Sequence, residues 1–125
     1  MNVANVGIAT IDANGRFLSI NHQWQKILGY TADELKRLST LDITHPDDLE
    51  ISEKLFYELK SGIIDRYSLE KRYLKKDGSI AWVHLSASVT KDANGVIKDN
   101  LGVIVDITEK KQNELTIRDQ NEVLK

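Results

Sequence analysis

The sequence predicts an α+β fold: a five-stranded antiparallel sheet with helices on one face and a charged C-terminal helix. Three observations carry this. Residues 70–108 read as long strands joined at Asp77-Gly78 and Asn94-Gly95, pairs that tolerate the positive φ of a tight hairpin. The middle strand alternates, with Ala81, Val83, Leu85, Ala87 and Val89 on one face and Trp82, His84, Ser86, Ser88 and Thr90 on the other. A second hairpin near the N-terminus supplies the two remaining strands.

In order, Val6 to Asp12 predicts a strand, Ala13-Asn14-Gly15-Arg16 a turn, and Phe17 to Ile20 its partner strand. Asn21 stops that strand and is placed to cap a short helix carrying Trp24, Ile27 and Leu28, which Gly29 ends. Thr31 and Glu34 have the spacing of a capping box, so a second short helix follows with Leu35 and Leu38 inward. His45-Pro46-Asp47-Asp48 starts a longer helix, because proline is preset for the first turn and the aspartates favour the positive end of the dipole. Leu49, Ser52, Phe56, Leu59 and Ile63 trace its inward stripe, and Ser61-Gly62 ends it near Lys60.

The first strand of the meander, about Tyr67 to Lys75, puts Leu69, Lys71 and Tyr73 on one side and Glu70, Arg72 and Leu74 on the other. A three-residue loop at Asp77-Gly78 sets Tyr73 opposite Val83, Leu74 beside Trp82 and Arg72 opposite His84. Thr108 to Lys125 has high helix propensity, with Thr108 able to cap it. Ile117, Asn121 and Leu124 fit a coiled-coil seam, but Glu114 and Lys110 fall in the same seam, so a solvated terminal helix is the competing expectation. The pattern stops in mid-course, as expected of a piece of a longer chain.

The totals narrow the function classes. The chain has 125 residues, enough for one core, and a net charge of −2, which predicts no attraction to nucleic acid or anionic membrane. It has no cysteine, which excludes disulfides, thiolate metal sites and cysteine photochemistry. No apolar run approaches the roughly 20 residues of a membrane span, and no signal peptide is visible. The expected setting is cytoplasmic, with an anchor elsewhere in a parent protein left open.

The segments GIATIDANGRFLSIN, LGYTADEL, HPDD, EKRYLKKDGSIAW and the closing Asp106-Ile107-Thr108 occur in an order that resembles the PAS domain family, from about Asn5 to Lys111. The resemblance implies a PAS fold at 1–108 and, at 109–125, a signalling helix leading to a histidine kinase, diguanylate cyclase or similar bacterial output domain. No motif of such a domain is readable in these residues.

Catalysis is not expected. His22, His45 and His84 lie in separate elements with no readable serine or carboxylate partner. No metal site is predicted, since capping already explains His45, Asp47 and Asp48. No cofactor is predicted either. The family's haem binders often carry a histidine on the long helix, and Asp47 to Lys60 has none. Its flavin binders present amides where this chain has Tyr73, Val83 and Ile104, so a flavin would leave polar groups unpaired, at about 1–3 kcal/mol each.

Three candidate sites remain. Trp24, Leu28, Tyr30, Phe56, Leu59, Tyr73, Val83, Leu85 and Ile104 form the interior, either a closed core or a small-molecule pocket. Leu74, Ile80, Trp82, Val103 and Val105 make the opposite face too apolar to stay wet; intramolecular cover or a homodimer would protect it, and the family favours the dimer. Asp106, Ile107 and Thr108 form the junction that the resemblance assigns to signal transmission. The expected function is therefore sensory, with a small molecule or a packing change shifting the terminal helix. A ligand-free dimerisation or spacing module is the alternative.

Overall fold

The computed structural model describes residues 6–123, with side chains described as far as residue 118. The chain runs β1 (Val6–Ile11), β2 (Phe17–Ile20), α1 (His22–Leu28), α2 (Ala32–Lys36), a 3-10 turn (Leu41–Ile43), α3 (Pro46–Lys60), β3 (Arg66–Leu74), β4 (Ile80–Lys91), β5 (Ile97–Asp106) and α4 (Thr108–Val123). The five strands form one antiparallel sheet in the order β2-β1-β5-β4-β3. The N-terminal hairpin thus joins the meander along β5.

The helix starts follow their expected chemistry. Asn21 Oδ1 accepts from the Trp24 amide at 3.1 Å and also from the Ile8 amide at 2.9 Å, so one side chain caps α1 and ties it to β1. Thr31 and Glu34 make the reciprocal capping box. His45 Nδ1 accepts from the Asp47 amide at 3.0 Å at the start of α3. Of the α3 stripe, Ser52 and Leu59 are buried and Phe56 half-buried; Ile63 departs from it, because the helix ends at Lys60 and the turn carries Ile63 into solvent.

Two hairpin turns repeat one local sequence, Asp-Ala-Asn-Gly, at Asp12–Gly15 and Asp92–Gly95. In each the aspartate carboxylate accepts from the amides two and four residues on, at 2.8–3.0 Å, which closes the loop without outside help. The third turn corrects the expected register. Lys75 pairs with Ser79 and the loop is Lys76-Asp77-Gly78, so Tyr73 faces Ala81, Arg72 faces Trp82, Glu70 faces His84 and Lys71 faces Val83. The loop has three residues as expected but is centred one residue earlier. Gly78, at φ 88°, takes the left-handed last position, and Asp77 accepts from the Ser79 amide and hydroxyl, which fixes that placement. A one-residue shift of the centre moves each partner by two, so the faces are unchanged.

The core fills the space between the inner sheet face and the helices. Ala81, Val83 and Leu85 from β4 and Ile104 from β5 meet Trp24, Leu28, Leu35 and Ile43 from the helical side. Trp24 is fully buried, edge-to-face with Phe17 at 5.6 Å and tilted against Tyr73 at 6.3 Å. Gly7 lets α1 approach this closely: a Cβ there would stand 2.7 Å from Ile104 Cγ1 and 3.1 Å from the Trp24 backbone.

Candidate ligand site and signalling junction

The nine interior residues divide into two groups. Trp24, Leu28, Val83 and Ile104 are fully buried and pack with half-buried Tyr30 into the closed core. Phe56, Leu59, Tyr73 and Leu85 instead line a cavity of about 30 Å³ between α3, the Leu41–Ile43 turn and strands β3 to β5. Its polar lining was not foreseen. Lys71, Ser52 and Asn100, all buried, face it beside Thr40.

The fold dictates that lining. Lys71 sits on the inward side of β3, between Leu69 and Tyr73, where alternation calls for an apolar residue. The connector before α3 runs against β3, with Thr44 bridged to Tyr73 and the His45 amide donating to the Arg72 carbonyl at 3.0 Å. This brings Thr44 to the lysine. Lys71 Nζ donates to Thr44 Oγ1 at 3.0 Å, and that hydroxyl donates onward to the Thr40 carbonyl at 2.8 Å. The ammonium also lies 4.6 Å from the centre of the Tyr73 ring. Burial lowers its pKa to about 8, with the Asp48 charge pulling the other way. Burial likewise pushes the Tyr67 phenol up to about 12 and the Tyr73 phenol higher still. Ser52 Oγ and Asn100 Oδ1 are buried without a hydrogen-bond partner among the described residues. The cue in the sequence was a lysine on the inner face of an alternating strand.

The junction lies on the other side of the sheet. Asp106 Oδ1 accepts from the Thr108 amide at 2.9 Å and from its hydroxyl at 2.6 Å. Thr108 does not cap its own helix as expected. Its Oγ1 instead accepts from the Trp82 amide at 3.0 Å, because β5 ends opposite Val83 and leaves the next residue of β4 without a partner on that edge. The Ile107 amide donates to the Trp82 carbonyl at 2.8 Å, completing the clamp.

Trp82 is also a meeting point for charge. Arg72 and Lys111 each lie 5.0 Å from its ring. Lys111 pairs with Glu70 of β3 at 2.6 Å, and that hydrogen bond is the main cause holding the Glu70 carboxyl below its ordinary range. Arg72 grips Asp48 of α3 by two side-chain hydrogen bonds, Nε to Oδ2 at 3.0 Å and Nη2 to Oδ1 at 2.8 Å, and its amide donates to Oδ2 at 2.7 Å. Those bonds hold Asp48 below the usual carboxylate range. Side chains thus connect α3 to α4 through Asp48, Arg72, Trp82 and Lys111. Of the other outer-face residues, Leu74 and Val103 are half-buried, while Ile80 and Val105 are exposed.

Comparison with known proteins decides the family. The family model for the PAS fold matches residues 17–104. The chain belongs to the PAS-fold family. It is 32% identical over 114 residues to the probable diguanylate cyclase DgcE of Escherichia coli, covering 91% of this chain and 10% of that protein. It is 37% identical over 112 residues to the sensor histidine kinase TmoS of Ectopseudomonas mendocina, covering 89% of this chain and 11% of that protein. This PAS domain therefore spans about a tenth of the length of either relative. A solved PAS domain from Colwellia psychrerythraea superposes with a TM-score of 0.73 at 23% identity, over 83% of this chain and 87% of that one. The sequence expectations of a PAS fold and of a signalling domain are met at this level.

Proposed function

We propose that this PAS domain is a non-catalytic sensory module of a cytoplasmic signalling protein, with an output domain of the histidine kinase or diguanylate cyclase type. A change in how α3 packs on the sheet would be passed to α4 and so to that output domain. The observation that carries this reading is the side-chain path from Asp48 through Arg72 and Trp82 to Lys111, together with the Thr108 clamp on the Trp82 backbone. A ligand under α3 would bias the path only by binding its two arrangements unequally. The cavity of about 30 Å³ favours a small guest, since pockets for drug-sized ligands run to roughly 300–1,000 Å³. Haem and flavin have no place in this proposal.

Amide hydrogen exchange tests the path. Asp48→Asn keeps the shape but removes the charge that Arg72 grips. The expected result is roughly three- to tenfold faster exchange at the Ile107 and Lys111 amides, with β1 and β5 unchanged. Unchanged rates at Ile107 would remove the path.

The homodimer belongs to the same proposal. Ile8 and Val105 are exposed, and Ile8 pairs across the strands with Val103, giving an apolar strip near the start of α4. No helix among the described residues is long and apolar enough to cross a membrane. Val105→Asp is the cleaner probe, because Trp82 is engaged by Arg72, Lys111 and the junction. Sedimentation should give a dimer for the parent chain and a monomer for the variant; a monomeric parent chain would discard the interface.

A further inference from the structure

We infer that the cavity beside Lys71 binds a small hydroxycarboxylate, of about two to four carbons, with its carboxylate on the lysine. This deepens the sensory reading and rests on it. Lys71 is 3% exposed. A lysine ammonium has three donors, and among the described residues one goes to Thr44 while the Tyr73 ring faces the group. The nearby carboxylate, Asp48, is taken by Arg72 through three hydrogen bonds. The cation is therefore buried without an anion of its own, a costly arrangement for a group that serves only packing.

Two further groups at the same cavity lack partners, and their needs differ. Asn100 Oδ1 requires a donor, and Ser52 Oγ accepts or donates. A halide or sulfate would serve Lys71 and leave Asn100 unpaired, whereas an anion that also carries an O–H reaches both. A carboxylate with a neighbouring hydroxyl serves all three: its oxygens accept from Lys71 and Ser52, and its hydroxyl donates to Asn100. Phe56, Leu59 and Leu85 give its carbon an apolar wall. The size agrees. The space open to the centre of a water is about 30 Å³, so the envelope around it admits a short-chain acid but not an aromatic ring system. The ligand would lie directly under α3, four residues from Asp48 at Ser52, and so at the start of the path to α4.

Thermal unfolding with sodium glycolate, lactate, acetate and chloride at matched ionic strength tests this on the present chain. Glycolate and lactate should raise Tm saturably by a few degrees, acetate less, and chloride not at all. Lys71→Met should fold and lose the response, and Asn100→Leu should make glycolate and acetate equivalent. A ¹³C signal from the Lys71 Cε should also move on glycolate addition in the parent chain. Equal shifts in the parent chain and Lys71→Met, a response to chloride matching that to glycolate, or no saturable shift with any carboxylate would overturn the assignment. The exchange experiment on Asp48→Asn involves no ligand, so the path to α4 stands or falls separately.

Discussion

Trp24→Ala should lower the unfolding free energy by about 3–5 kcal/mol, read from urea denaturation with the fold checked by circular dichroism. The indole is fully buried between the sheet and the helices and touches both aromatic neighbours, Phe17 and Tyr73. Gly102 lies against the ring, where a Cβ would be 3.4 Å from it, and Gly7 lies against the Trp24 backbone. Two strands have thus given up side chains to admit one helix, and neither can move in to refill the space. The indole Nε1 has no hydrogen-bond partner among the described residues, so the loss is one of packing. Trp24→Phe, which keeps most of the ring volume, should cost less than half as much. A loss under about 1 kcal/mol for the alanine variant would mean that α1 reseats and that the core is softer than its packing suggests.

Why the fold was legible and the site was not comes down to what a single position can reveal. The strands of the meander showed themselves because one face had to be apolar, and β4 alternates from Ile80 to Ala87 with Ala81, Val83, Leu85 and Ala87 buried. Asn21, Thr31 and His45 were readable because a cap lies within three residues of what it caps. Register was harder, since Asp77-Gly78 fits two loop centres and only the Asp77 bonds to Ser79 choose between them. The cavity was harder still. Composition does not distinguish a core from a pocket, and Ser52, Lys71 and Asn100 are far apart along the chain. Lys71 alone broke the local rule, by standing on the inner side of β3 where Leu69 and Tyr73 stand. Thr108 shows the same limit: its nearest orphan amide along the chain lies in α4, but the amide it accepts from belongs to Trp82, 26 residues away.

Stability should rise with pH between about 8 and 10, by about 2 kcal/mol, and that rise should vanish in Lys71→Met. The cause is the buried ammonium, whose folded pKa of about 8 lies below its ordinary 10.5. Below pH 8 the lysine is charged in both states, and the folded state bears the full cost of burying it. Between the two values the folded chain releases the proton while the unfolded chain still holds it. The unfolded state then binds more protons, so the unfolding free energy climbs with pH. The window closes near pH 10 because the Tyr67 phenol behaves oppositely: its folded pKa of about 12 lies above the ordinary 10.0, so ionisation favours the unfolded chain as pH rises further. Tyr73, shifted upward by burial, acts in the same sense. Taking the difference between the parent and Lys71→Met curves cancels both phenols and leaves the lysine. At pH 7 the methionine variant should be at least as stable as the parent, since an apolar chain of similar length replaces an unpaired buried charge. Parallel curves from pH 7 to 10 would mean that Lys71 keeps its proton as easily inside as outside, and an anion or ordered water would then have to be compensating it. Adding glycolate separates those outcomes: a bound carboxylate restores the charge, moves the rise toward 10.5 and so flattens it in the parent chain alone.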